Sequence, residues 1–133
     1  MTIQLSTTLR NNMVGQYETT IGTGPKLQLR TGAQPADCAA ADSGTLIAEI
    51  TLPSDWMTAA SAGAISKNGT WAGTAAATGT IGHYRIKDSG GTTTHEQGSA
   101  GTSGTDLILD SNIINSIGQN VTVTGWTRTQ SGA

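Results

Sequence analysis

The first apolar pattern of the chain has helical spacing. Four apolar residues recur at every fourth position: Leu9, Met13, Tyr17 and Ile21. This spacing predicts an amphipathic helix over residues 5–21 with one apolar stripe along its length. Ser6 or Thr7 is suited to cap its first turn, and Gly22 is suited to end it. Two interpretations remain open: a helix that leads into a β-domain, or an arm that docks on a neighbouring molecule.

From residue 26 onward apolar and polar positions alternate, as they do in half-buried strands. After the first such stretch, at 26–30, short β-like or apolar stretches follow at 45–52, 64–66, 70–75, 81–87, 92–97, 106–110, 113–117 and 121–129. The pattern predicts an all-β fold, an antiparallel β-sandwich or jelly roll of seven to eight strands with a short N-terminal helix. We divide the chain into an N-terminal arm and helix, residues 1–24, and a β-sandwich domain, residues 25–133.

Two turn sequences predict hairpins. An Asn-Gly pair at 68–69 separates two of the short stretches, and this pair is a strong hairpin signal. The second turn lies at 88–91, and with the Ser-Gly pair at 89–90 as its centre, His83 lies opposite Glu96. These two side chains would then share the outer face of the hairpin. They could form an acid–base pair or half a metal site, but we favour a simple cross-strand polar pair.

Composition limits the partners. Charged residues make up 12% of the chain, the formal net charge is −2, and the seven basic residues do not cluster. The chain therefore lacks the electrostatic footprint of a nucleic-acid-binding protein, and no apolar stretch approaches the ~20 residues of a membrane span. The N-terminus has no signal-peptide pattern and Cys38 is the single cysteine. Both features favour synthesis in a reducing compartment.

The apolar residues predict a core with a thin stability margin. Hydrophobic residues are 35% of the chain, many of them Ala, and aromatic residues are only 4%. Because net stability is a small difference between large terms, contacts between subunits would reinforce such a core. We therefore expect a homo-oligomer or a larger assembly. At least one or two of the three tryptophans, at 56, 71 and 126, are expected in the core.

The sequence contains no recognisable motif for catalysis or for cofactor binding. Cys38 has no cysteine at C-x-x-C spacing, and the aspartates at 37, 42, 106 and 110 do not match a calcium-binding loop. The Gly-rich segment at 98–104 lacks the Lys and the helix of a phosphate-binding loop. We predict a non-enzymatic protein with no catalytic, cofactor-binding or metal-binding residues.

Five segments resemble a known family, and together they span most of the chain. They are ETTIGTGPKLQLRTG at 18–32, PADCAAADSGTL at 35–46, LPSDW at 52–56, GTW at 69–71 and HYRIKD at 83–88. These segments resemble small structural proteins of tailed-bacteriophage virions, of the capsid decoration (cement) kind.

The resemblance implies a decoration protein on the outer capsid surface of a virion, made in the host cytoplasm, that bridges and stabilises major capsid subunits. Its partners would be the major capsid protein and further copies of itself, with no nucleic acid and no membrane. For the contacts to the shell or to sister subunits we select the apolar residues of the arm and helix: Ile3, Leu5, Leu9, Met13 and Tyr17. The alternative is a receptor- or glycan-binding module on a tail or head fibre, which would use Trp residues and Gly/Thr-rich loops.

Overall fold

The chain folds into one helix and nine strands, as seen in a computed structural model that describes residues 3–133. The β-rich class and the short N-terminal helix are confirmed, whereas the sandwich or jelly-roll form stays a prediction. The elements are α1 (Thr7–Ile21), β1 (Lys26–Thr31), β2 (Leu46–Thr51), β3 (Ala64–Ser66), β4 (Ala72–Thr74), β5 (Gly79–Lys87), β6 (Thr94–Gly101), β7 (Leu107–Leu109), β8 (Ile113–Ile114) and β9 (Asn120–Thr129).

The strands form a single mixed sheet that curls into a half-barrel. Its order is β2-β1-β5-β6-β7-β9-β3, with β4 paired to β9 and β8 paired to β5. The β6–β7 pair is parallel, which the prediction of an antiparallel fold missed. The hairpin predicted at 68–69 is also wrong, because β3 and β4 each pair with a different part of β9. Gly69 does adopt a positive φ of 74°, and the chain bends there without forming a hairpin.

The core is centred on the three tryptophans. Trp56, Trp71 and Trp126 are at most 2% exposed, and their ring centroids lie 5.4–6.0 Å apart. Each indole N–H donates a hydrogen bond, the first two to the carbonyl oxygens of Gly22 and Asn68. Pairing the polar edge of each ring avoids the cost of an unsatisfied buried donor. The prediction that tryptophan builds the core is confirmed for all three.

Helix α1 lies against the core with a different face from the one that strict four-residue spacing predicts. Ser6 caps its first turn by accepting a hydrogen bond from the Leu9 N–H, 3.1 Å. The inward positions are the buried Arg10, Val14 and Ile21, together with the partly buried Tyr17. Positions four residues apart drift by about 40° around a helix of 3.6 residues per turn. Over three such steps the drift takes Leu9 away from the face that contains Ile21, so the predicted single stripe is wrong.

A loop over residues 32–45 covers one face of the sheet, and Gly44 closes it. Gly44 has a φ of 69°, and a Cβ atom there would overlap the backbone carbonyl of Thr31. A side chain at this position is therefore excluded both by backbone conformation and by a backbone neighbour that cannot rotate away.

We expect Gly44→Ala to lower the free energy of unfolding by more than about 2 kcal/mol, because it adds an overlap to the conformational strain. Gly104→Ala is the matched control, since Gly104 has a φ of 68° and open space around it. Its expected cost is about 1 kcal/mol, from the conformation alone. Urea denaturation of both variants measures the difference, and equal costs would contradict the close approach of Gly44 to Thr31.

Candidate functional site

The residues predicted to form an interface fall into a surface group and an inner group. Ile3, Leu9 and Met13 are exposed, with 79%, 46% and 42% of their surface accessible. Leu5 is half-buried and contacts the other end of the chain: its N–H donates to the Gly132 carbonyl oxygen, 2.6 Å. Tyr17 is also half-buried, and packs against the core of its own chain. Ile3, Leu9 and Met13 can therefore contact another molecule, whereas Leu5 and Tyr17 are engaged within their own chain.

The exposed face of α1 carries almost no charge. Among the exposed positions of the helix only Glu18 is ionisable, and the others are Thr, Asn, Gln, Leu or Met. A groove of about 310 Å³ runs between this face and the start of β6, lined by Met13, Gln16, Tyr17, Thr20, Ile21 and His95. An uncharged face with apolar side chains at its centre is the composition found at the centre of protein interfaces.

The opposite face of α1 is fixed to the body of the protein by polar contacts. The Arg10 guanidinium donates from Nη1 to the Ala62 carbonyl oxygen, 3.0 Å, and the Asn11 Oδ1 accepts from the Gly63 N–H, 2.8 Å. The helix is therefore held near its N-terminal end on the turn before β3. Its exposed face is presented on a rigid support rather than on a free arm.

The β5–β6 hairpin has a longer turn than the sequence predicted. The turn runs over residues 88–93: the Asp88 N–H donates to the Thr93 carbonyl oxygen, 3.1 Å, and the Asp88 carboxylate accepts from the Thr92 N–H, 2.9 Å. A carboxylate that caps turn amides in this way stabilises a loop wider than two residues. The register consequently differs from the predicted one, and Glu96 lies opposite Ile86.

His83 and Glu96 therefore lie on opposite faces of the sheet. All three interpretations of this pair, as an acid–base pair, as half a metal site and as a simple polar pair, are wrong. His83 lies opposite Ser99, is fully buried under the 32–45 loop, and its Nδ1 lies 2.9 Å from the Gly32 carbonyl oxygen. Glu96 faces the core instead. The two residues cannot act on one substrate or hold one ion.

The Glu96 carboxylate is the centre of a buried polar cluster, which we call the Glu96 cluster. It accepts hydrogen bonds from the Tyr84 hydroxyl, from the Trp126 Nε1–H at 3.0 Å and from the Arg128 guanidinium, whose Nε lies 3.0 Å away. Arg128 also lies over the Trp126 ring, 5.0 Å from its centroid. The cluster ties β5, β6 and β9 together, and its charges are paired as buried charges must be.

The tyrosines of this region are held neutral. Burial, together with the negative charge of Glu96, raises the pKa of Tyr17 to about 12 and also raises the pKa of Tyr84. Tyr17 packs edge-on against Trp126, with ring centroids 6.0 Å apart. The cluster thus extends to the helix, and the arrangement fits a structural role because the carboxylate is already saturated with donors.

A second polar cluster lies under the 32–45 loop, where Arg85 organises the loop backbone. The Arg85 side chain is 1% exposed and donates to the carbonyl oxygens of Asp37, Cys38 and Ala40 at 3.0–3.2 Å. The Asp42 carboxylate also accepts a hydrogen bond from Arg85, with 2.6 Å between Nη1 and Oδ1. The covering loop thus buries the charged Arg85 side chain.

Asp42 is shared by three cations. Its carboxylate lies 2.6 Å from Lys87 Nζ, 2.6 Å from Arg85 Nη1 and 3.3 Å from Arg30 Nη2. Partial burial opposes ionisation, yet the hydrogen bonds from Lys87 and Arg85 hold the pKa of Asp42 below its usual value. A cleft of about 560 Å³ opens beside this group, lined by residues 38–42, Arg85, Lys87 and Thr92–Thr94.

The described part of the chain offers little for metal chemistry. Residues 3–133 contain no group of three or more His, Cys, Asp or Glu side chains placed to hold an ion. Cys38 is a free, half-buried thiol at the cleft. Within the same range, no helix has the length and apolar character needed to cross a membrane.

Comparisons with protein-family models, with curated proteins and with solved structures give no match for this chain.

Proposed function

We propose that the chain is a non-enzymatic structural protein of a tailed-phage virion, a capsid decoration (cement) protein on the outer capsid surface. Its partners are the major capsid protein and further copies of itself. The observation that carries the proposal is the face of α1, where Leu9 and Met13 stand exposed on an uncharged surface while the other side of the helix is fixed to the body. The resemblance of five sequence segments to virion proteins supports a location on the virion and synthesis in the host cytoplasm.

The binding free energy of such a contact is modest for one copy and large for an assembly of many copies. Fully burying a Leu or Met side chain stabilises a complex by about 1.5–3 kcal/mol, and these two begin roughly half exposed. Ile3, in the arm before the helix, adds a third apolar side chain that is 79% exposed. A decoration protein needs little affinity per contact where oligomeric copies bind a repeated lattice together.

We further propose that the curled sheet belongs to the sandwich or jelly-roll class. One end of the strand path, β2, approaches β4, which pairs with β9. The Ala76 N–H, just after β4, donates to the Ile47 carbonyl oxygen of β2 at 2.7 Å. Gly73 of β4 lies against Ile50 of β2. These contacts favour two layers around the tryptophan core.

The second candidate, a glycan- or receptor-binding fibre module, keeps one supporting observation. The three tryptophans are buried, so they present no stacking surface to a sugar. The cleft beside Asp42, however, is lined by the hydroxyl-bearing residues Thr92–Thr94 and is large enough for a small ligand.

Copy number separates the two candidates. A gel of purified virions should show the chain as a band of intensity comparable with the major capsid protein, since a decoration protein covers the whole shell. A band at a few per cent of that intensity would favour the fibre module. A chain that does not purify with the particle at all would overturn both.

A further inference from the structure

The cleft beside Asp42 has the features of an anion site. One wall is the 38–42 segment of the covering loop, the other is formed by Thr92–Thr94 from the β5–β6 turn, and Lys87 and Arg85 line it from the sheet. Lys87 is 7% exposed at the side chain. An ammonium group so deeply placed at a cleft is desolvated and gains from an anionic partner.

Lys87 has donor capacity left for a ligand, whereas both Nη groups of Arg85 are engaged and only its buried Nε lacks a partner. The Nη groups of Arg85 are directed to three loop carbonyls and Asp42. Lys87 Nζ carries three protons and donates to one carboxylate oxygen, Asp42 Oδ2. Two protons of this ammonium group can therefore reach a second acceptor.

Three cations contact a single carboxylate at the cleft. Asp42 is one carboxylate among three cations, Arg30, Arg85 and Lys87. Two other carboxylates nearby are engaged by backbone amides: Asp37 caps Ala39 and Ala40, and Asp88 caps the turn at Thr92. The third, Glu49, accepts from the Gln28 amide, 2.8 Å. These three carboxylates keep their negative charge, so the positive excess is confined to the group of Asp42 and its three cations.

We propose that this cleft binds the oxyanion group of a ligand, a carboxylate or a phosphate, with Lys87 as the charged contact and the Thr93 and Thr94 hydroxyls as further donors. Asp42 is the internal competitor, since it already occupies one side of the ammonium group. The site is independent of the helix face, so its failure would leave the virion proposal unaffected.

Titration with inorganic phosphate and with acetate, followed by amide NMR shifts at fixed ionic strength, tests the site. We expect saturable shifts at 39–42 and 92–94, with a dissociation constant on the order of millimolar. Lys87→Met should weaken binding about tenfold. Lys67→Met is the matched control, because Lys67 Nζ contacts the Gly69 carbonyl oxygen away from the cleft; its binding should be unchanged. Tighter binding of phosphate than of acetate, or the reverse, identifies the preferred anion class.

Asp42→Asn supplies a second readout that does not depend on the fold tolerating the loss of Lys87. Removing the competing carboxylate should tighten anion binding, and phosphate should then raise the melting temperature of this variant more than sodium chloride of equal ionic strength does. The absence of saturable shifts at 39–42 and 92–94, equal binding by Lys87→Met and the parent chain, or no phosphate-specific stabilisation of Asp42→Asn would each overturn the proposal.

Discussion

Glu96→Ala is expected to lower the free energy of unfolding by about 3–5 kcal/mol, the range for removing one partner of a buried ion pair. The substitution leaves the Arg128 guanidinium, the Trp126 indole N–H and the Tyr84 hydroxyl without their common acceptor. Each of these donors lies in or beside the core, where water replaces the lost carboxylate poorly. Chemical denaturation followed by tryptophan fluorescence measures the loss.

Two further variants show whether the loss comes from the Glu96 cluster. Glu49→Ala removes an exposed carboxylate with one side-chain partner, Gln28, and should cost less than about 1 kcal/mol. Adding Arg128→Met to Glu96→Ala should restore at least about 1 kcal/mol, because it removes the uncompensated charge. A Glu96→Ala cost no larger than that of Glu49→Ala would contradict the buried ion pair.

The regular parts of the fold were predictable because they depend on local chemistry. Period-two alternation located the strands at 26–30 and 45–52 to within one residue at each end. The Ser6 cap and the stop at Gly22 follow from hydrogen bonding within a few residues. Tryptophan burial follows from the small number of other large apolar side chains.

The Glu96 cluster was not predictable because it depends on the length of one turn. Its position on the inner face follows from the Asp88 carboxylate, which caps a turn over 88–93 and shifts the register. Since successive strand residues alternate faces, a small register error exchanges the core and solvent faces. The Asp at the start of the turn was the available signal for the wider loop.

The cluster around Asp42 was missed for a different reason. The predicted hairpin places His83 on the outer face, whereas His83, Arg85 and Lys87 are all buried. They are buried by a loop more than 40 residues away along the chain, through hydrogen bonds to loop carbonyls such as Arg85 to Ala40. Backbone carbonyls have no sequence signature, so pattern analysis cannot detect such partners.

The second large effect is expected at the exposed face of α1. Leu9→Ser together with Met13→Ser should weaken the binding of each copy to the capsid by about 2–3 kcal/mol, or about 30- to 150-fold. The reason is that two apolar side chains are no longer transferred from water into the interface. The fold should be little affected, since both residues lie on the exposed side of the helix. Deleting the chain through Tyr17 is a poorer test because it also removes Val14 from the core.

Ile117→Ser is the matched control for this pair. Ile117 is 73% exposed, comparable in size, and lies in the segment between β8 and β9 rather than on the helix. The control should bind like the parent chain if the helix face is the contact surface. Denaturation midpoints of all three proteins should agree closely, so that a binding difference cannot arise from unfolding.

The most direct test of the decoration proposal is the occupancy of capsids that lack the chain, after purified protein has been added and the particles sedimented. The parent chain and Ile117→Ser are expected to sediment with the capsids to a common saturating level, whereas Leu9→Ser/Met13→Ser remains in the supernatant at the same concentration. Equal occupancy by the double variant would contradict the role of the helix face. Failure of the parent chain to bind the capsid would contradict the decoration function itself.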